Sequence, residues 1–223
     1  MKTTQSSGHL GAAPQRCGSA LRALAAVAVC ASVRCGGDDG AFEAIAQAIE
    51  GIYELTANTK NTTGCDTEGP STLESRSQRF VLLTRSDFLG VPLVSLYACS
   101  SADDCRAKAA TFRSTQTIVA SYSYNFTVAL NEQTLFDSGV GTGSAGTGLT
   151  CTGGFESENT LVRQTDGGFR LESRVTLSDD YPAEPSSTGS GFAACTTDGA
   201  RAAAEGNPCG TFEVFTARFV EAL

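Results

Sequence analysis

The sequence predicts a mainly β protein: a single antiparallel barrel or barrel-like meander with short helices, stapled by disulfides. Three observations lead there. Ile118, Ala120, Tyr122, Tyr124, Phe126, Val128 and Leu130 fall on every second position, with Val119, Ser121, Ser123, Asn125, Thr127 and Ala129 between them. A two-residue period is that of a strand with one face buried. Nine cysteines in 223 residues is a load typical of compartments where disulfides persist. Turn-forming runs such as Thr165-Asp166-Gly167-Gly168 separate the apolar segments, as in hairpins.

Each element has its own signature. Phe42 to Glu50 reads as a short helix, with Phe42, Ile45, Ala46 and Ile49 on one face and Gly51 as the stop. From Gly51 to Ala57 the period changes to two, placing Tyr53, Leu55 and Ala57 on one face and Glu54 and Thr56 on the other. Phe80–Thr84 and Leu93–Cys99 form an expected pair turning around Ser86 to Gly90, with Pro92 at a strand start. The 118–130 run exceeds the ~5–6 residues of an ordinary strand, so it is expected to bend as in a barrel or fold back near Asn125. Glu156–Gln164 and Phe169–Ser178 make a hairpin, with Phe169, Leu171, Val175 and Leu177 inward and Arg170, Glu172 and Arg174 outward. Phe212 to Val220 reads as a closing strand, although Phe212, Phe215 and Phe219 also fit a helix face.

Two helical inserts, ADDCRAKAATF and DGARAAAE, follow Ala98-Cys99-Ser100-Ser101 and Ala194-Cys195-Thr196-Thr197. Each begins with a cysteine, hydroxyl residues able to cap a helix, and acid in the first turn. Duplication and chance both account for so short a match. Asp137–Gly154 and Ser178–Gly191, rich in Gly, Ser and Thr, read as long polar loops.

The N-terminal layout is that of a targeting segment: Lys2, Arg16 and Arg22, an apolar run from Ala23 to Val33, then Arg34. That run is shorter than the ~20 residues of a membrane-crossing helix. Residues 1–35 are therefore expected to be a leader and 36–223 one β-rich domain. All 24 acidic residues follow Gly37, whereas Lys2, Arg16, Arg22 and Arg34 precede Cys35. The body so carries a strong negative charge, which argues against nucleic acid or anionic lipid as a partner. The single histidine, His9, lies in the leader. A body without histidine lacks the commonest general base and partner of a Ser or Cys nucleophile, so no catalytic residue is assigned and a non-enzyme is expected. No paired C-x-x-C spacing accompanies the cysteines, so neither a metal nor another cofactor is expected. Catalysis by carboxylates alone is a residual reading, because nothing in the spacing selects two that would meet.

The start Cys35-Gly36-Gly37-Asp38-Asp39-Gly40 resembles the mature start of bacterial envelope lipoproteins, in which the cysteine is acylated. Upstream stand Ser32-Val33-Arg34 in place of the family's Leu-small-small pattern. Cys30, after Val27-Ala28-Val29, is the alternative lipidation site, and cleavage after Ala31 would release a soluble form. The chain is thus expected to be exported, anchored in the envelope by lipid or secreted. Acylation at Cys35 leaves Cys65, Cys99, Cys105, Cys151, Cys195 and Cys209 to pair. Of the roughly 15 pairings six cysteines allow, two local bridges, Cys99–Cys105 and Cys195–Cys209, with Cys65–Cys151 closing a long loop, are expected.

Other motifs have bland readings. Gly141 to Gly146 matches G-x-G-x-x-G, but the following residues are not helical, so no pyrophosphate site is expected. The pairs Asp38-Asp39, Asp103-Asp104 and Asp179-Asp180 lack the spacing of a calcium loop. Asn61-Thr62-Thr63 and Asn125-Phe126-Thr127 match the glycosylation pattern, which is usually silent in a bacterial setting. Tyr53, Tyr97, Tyr122, Tyr124 and Phe126 are candidates to line a ligand cavity, the alternative being a filled core.

A short helix, then Gly51-Ile52-Tyr53 opening the first strand, successive antiparallel strands and a last strand bearing Arg218 resemble a lipocalin-type barrel. Tyr53 stands where that family has tryptophan. The resemblance implies that Arg218 packs over Tyr53 and that the barrel binds a small hydrophobic molecule inside it, in an enclosed apolar cavity, without catalysis. The alternative from another class is a structural or adhesion module of the cell surface, presenting its Gly/Ser-rich loops to a partner.

Overall fold

The computed structural model describes residues 39–88, 91–115, 122–145, 149–185 and 193–223. The leader, Cys30 and Cys35, and residues 118–121 of the alternating run lie outside them.

Helix α1 (Asp39–Ile49) leads into β1 (Gly51–Asn61), then β2 (Phe80–Phe88), β3 (Val91–Cys99) and helix α2 (Ala102–Thr115). β4 (Tyr122–Phe126), β5 (Val128–Asn131) and β6 (Thr134–Gly141) follow, then the short β7 (Ser144–Ala145) and β8 (Thr150–Thr152). β9 (Phe155–Arg163) and β10 (Phe169–Leu177) form the hairpin read from Thr165 to Gly168. After β11 (Tyr181–Pro182), β12 (Glu184–Pro185), β13 (Ala193–Ala194) and helix α3 (Thr197–Ala204), the chain closes with β14 (Thr211–Glu221). The closing segment is thus strand, not helix.

Nine strands form one antiparallel sheet in the order β4-β3-β2-β1-β14-β10-β9-β6-β5. Its two edges, β4 and β5, are separated only by Thr127: β4 pairs with β3 and β5 with β6. The ends of the sheet are therefore two halves of one bent segment, and the sheet curls into a nearly closed up-and-down barrel in which β14 returns to β1.

That bend corrects the seamless alternation of 118–130. Phe126 is fully buried, but beyond Thr127 it is Ala129 that packs on the core, while Leu130 is 58% exposed. Parity reverses because the segment changes partners at the barrel corner. β1 does the same. A register shift between Leu55 and Ala57 exposes Ala57 and buries Asn58 in its place, the local kink that a bulge produces.

The core lies inside the barrel and against α1. Phe42, Ile45, Ala46 and Ile49 are buried, as helical spacing requires, against Tyr53, Leu83, Val94, Phe126, Leu135, Leu161 and Phe169. The Tyr53 hydroxyl donates to the Ile49 carbonyl oxygen at 2.8 Å, and its ring meets Phe169 and Phe219 edge-on at 5.0 and 5.5 Å. Gly51 lets β14 approach this closely, since a Cβ there would lie 2.8 Å from the Glu221 carbonyl oxygen. Arg85 holds α1 to β2 through ion pairs with Glu43 and Glu50.

Two smaller clusters sit outside the barrel. α2 covers Ile52, Leu82 and Tyr97, and α3 with Tyr181 packs near Val140. Disulfides join Cys99 to Cys105, as expected, but also Cys65 to Cys209 and Cys151 to Cys195, with Cα–Cα distances of 5.4, 5.6 and 5.7 Å. The last two replace the expected Cys195–Cys209 and Cys65–Cys151. Closure of the barrel puts the β1–β2 connection beside the start of β14, a neighbourhood that sequence distance hides. The three bridges suit an oxidising, exported location.

Candidate functional site at the open end of the barrel

The two ends of the barrel are built differently. At the α1 end the strands are joined by the short connections 89–90, 132–133 and 164–168. At the other end lie the long ones, 62–79, 100–121, 142–154 and 178–210, and all six bridged cysteines fall within these connections or at the end of β3 that leads into one. Long loops on a rigid frame are where binding residues concentrate.

The interior changes character toward that open end. Leu135 pairs with Leu161 and Leu161 with Leu171, all fully buried. Two residues nearer the open end, Asp137 pairs with Asn159, Asn159 with Ser173 and Ser173 with Glu213. Directly opposed residues share a face with Cβ atoms about 4.5–5.5 Å apart. This is one polar row across β6, β9, β10 and β14 on the inner face, and Asn159 and Ser173 within it are buried.

The charges in this half are unequally satisfied. Arg76, from the β1–β2 connection, donates from Nη1 to Asn58 Oδ1 at 2.9 Å and to Glu213 Oε1 at 3.1 Å. Asn58 Nδ2 donates to Glu213 Oε1 at 3.1 Å, and the Arg76 guanidinium lies 4.9 Å over the Phe215 ring. Arg76 and Glu213 therefore neutralise each other. Tyr124 stacks edge-on to Phe215, and burial together with the Glu213 charge pushes its hydroxyl up to about 12, against a hydrogen bond with Ser173. Asp137 enters no ion pair among the described residues. Burial pushes its carboxyl up to about 6, opposed by hydrogen bonds with Thr127 and Asn159. The remaining acceptor of that pair, Asn159 Oδ1, is buried without a hydrogen-bond partner, an arrangement that costs free energy.

Beyond the row the inner face carries little bulk. Gly139 opposes Ser157, and Gly141 opposes Phe155. A Cβ on Gly141 would overlap the Phe155 ring, so the ring lies directly on the strand. Phe155 pairs with Leu177, and both remain exposed, at 39% and 59%.

The chain matches no family model, no curated protein and no solved structure.

The aromatic residues singled out from sequence do not form one set. Tyr53 belongs to the α1 end, while Tyr124 belongs to the polar half of the interior and Phe126 to the core that α1 seals. Tyr97 faces outward under α2. Tyr122 opens β4 opposite Tyr97. Arg218 does not pack over Tyr53: it pairs across β1 with Glu54, on the opposite face, and forms an ion pair with it. The cation whose charge acts on Tyr53 is Arg163. It opposes Phe169 in the β9–β10 register, two residues from Leu161 on the inward parity.

Asp137, Asn159, Ser173 and Arg76 carried no signal as a site in the sequence. Residues 137–154 read as loop, whereas Asp137 to Gly141 complete β6. Its inward positions, Leu135, Asp137, Gly139 and Gly141, offer one apolar residue followed by a charge and two glycines. The usual mark of a half-buried strand is therefore missing. Among the described residues, no cluster of His, Cys, Asp or Glu could hold a metal. The space enclosed by Leu55, Val81, Leu96, Tyr124, Phe169 and Phe215 beneath Arg76 is about 10 Å³. That is room for one water, against the roughly 300–1,000 Å³ of small-molecule pockets.

Proposed function

We propose that the protein is an exported, non-catalytic, lipocalin-like binding protein that takes a small, partly apolar molecule at the open mouth of its barrel, with Cys35 as its lipid anchor. The asymmetry of the two ends carries this reading. One end is sealed by α1 and short turns; the other gathers the long, stapled connections around a polar row with an unused acceptor and an exposed Phe155–Leu177 pair. An unpartnered amide oxygen next to a largely buried carboxyl offers a polar group of a ligand two contacts at the mouth. Because the space beneath Arg76 holds no more than about one water, the ligand lies above Arg76 and Tyr124 and not in an enclosed chamber there.

A backbone-amide NMR titration of the full chain against a library of small amphiphiles tests this. Shifts are expected along β6, β9 and β10 between the polar row and the mouth. Responses confined to the outer surfaces of α2 and α3, or none, overturn it. Intact mass of the protein from its native envelope fraction tests the anchor: an acylated species beginning at Cys35 is expected, and an unmodified species beginning near Ser32 contradicts it.

A further inference from the structure

We infer that the molecule taken at the mouth carries a protonated amine on an elongated apolar body, with Asp137 and Asn159 receiving the ammonium group; this rests on the mouth being a ligand site. The side chains determine the polarity of the head group. Asp137 brings a negative charge to the inner face without an ion-pair partner among the described residues, and its neighbour Asn159, 7% exposed, keeps Oδ1 buried and unpaired. No inner-face cation among the described residues pairs with Asp137: Lys60, exposed near the end of β1, stands opposite Glu213 on the far side of β14. Arg76 is engaged by Asn58 and Glu213, and Arg163 lies beyond the Leu135–Leu161 layer, beside Tyr53.

An ammonium group supplies what both residues lack: positive charge for the carboxylate and an N–H donor for Oδ1. An alcohol would satisfy the amide alone. A carboxylate or phosphate would meet Asp137 with like charge and leave Oδ1 unpaired. The body of the ligand follows from the spacing along β9. Asn159 and Phe155 are separated by two inward steps, about 13 Å of strand. The residues between them, Ser157 with its partners Gly139 and Val175, leave a shallow path ending at the exposed Phe155–Leu177 pair. A straight chain of about eight carbons spans most of that distance.

The matched probes are octylamine, 1-octanol and octanoate, each titrated into the full chain at pH 7.5 by calorimetry and followed by amide NMR. Octylamine is expected to bind at least about tenfold more tightly than 1-octanol, and octanoate most weakly. Asp137→Asn is expected to reduce octylamine affinity by about tenfold or more, to the level of 1-octanol, without lowering Tm. The exposed, outward-facing Glu158→Gln serves as a control for the overall negative charge, and is expected to leave octylamine binding unchanged. Equal binding of all three probes overturns the amine assignment but leaves the mouth as a ligand site, whereas binding of none overturns both. Octylamine affinity unchanged in Asp137→Asn, or reduced as much by Glu158→Gln, also overturns the assignment.

Discussion

At the α1 end the barrel is held by close packing: four helix side chains, Tyr53 and a ring of buried aliphatic residues leave almost no space, and the turns are short. At the open end the same strands carry Asp137, Asn159, Ser173 and Glu213 inward, and covalent bridges do what packing does at the other end. One end is held mainly by apolar packing, with Arg163 as the inward charge beside Tyr53; the other carries its polar row between stapled connections. The difference teaches that the disulfides of this chain serve the part of the fold least able to hold itself.

The largest expected effect follows from cutting the staple. Replacing Cys65 and Cys209 with serine opens a loop of 144 residues' separation, for which the chain-entropy argument gives about 5 kcal/mol. Urea denaturation should show most of that loss, and hydrogen exchange should show the open-end connections loosening while α1 and β1 stay protected. Equal loosening at both ends would break the comparison.

Next comes the packed end. Ile49→Ala is expected to cost about 2–5 kcal/mol by denaturant titration, because the residue is fully buried against the barrel. Tyr53→Phe keeps the ring and removes the hydrogen bond to the Ile49 carbonyl oxygen, for an expected loss of about 1 kcal/mol. Neither should alter the ligand preference of the mouth.

Asp137 sharpens the comparison through pH. Its folded carboxyl, near 6, lies above its unfolded value of 3.8, so the native state binds the proton more tightly. Its contribution to stability is fully present below about pH 4 and is lost as pH rises through 6. Asp137→Asn should therefore be more stable than the parent above pH 6, by about 1–2 kcal/mol after allowing for partial exposure, and the two should converge in acid. Octylamine binding should weaken as pH falls below 6 and the carboxyl is neutralised. Among the described residues, the other titratable or charged groups on the inner face of that half are Tyr124, Glu213, Arg76 and Lys60. Stability curves that stay parallel across pH 4–8 would remove Asp137 from this role.

The smallest effect separates Arg218 from Arg163. Arg218→Ala breaks an exposed pair with Glu54 and should cost less than about 1 kcal/mol. A loss of several kcal/mol would mean that Arg218, and not the neighbour of Tyr53 on β9, supports the sealed end.

Much of the scaffold was legible in the chain itself. The spacing of Phe42, Ile45, Ala46 and Ile49, the alternation around Tyr124, the Thr165–Gly168 turn and the six-cysteine body all lead to a stapled antiparallel barrel, because period, turn chemistry and disulfide load are local properties. The site was not legible. Asp137 and Asn159 are 22 residues apart in number and look like an ordinary loop acid and a strand amide. Only the β6–β9 register makes them neighbours.

What the sequence determined alone was the kind of protein: β-rich, cysteine-stapled, acidic in its body, with an amphipathic helix ahead of the first strand. Tertiary structure decided which residues meet. The parity reversals at Thr127 and Ala57, the pairing of Cys65 with Cys209 and of Cys151 with Cys195, and the inward polar row all depend on how strands close around a common axis. Closure is a relation between segments far apart in the chain, and no local preference of either segment specifies it.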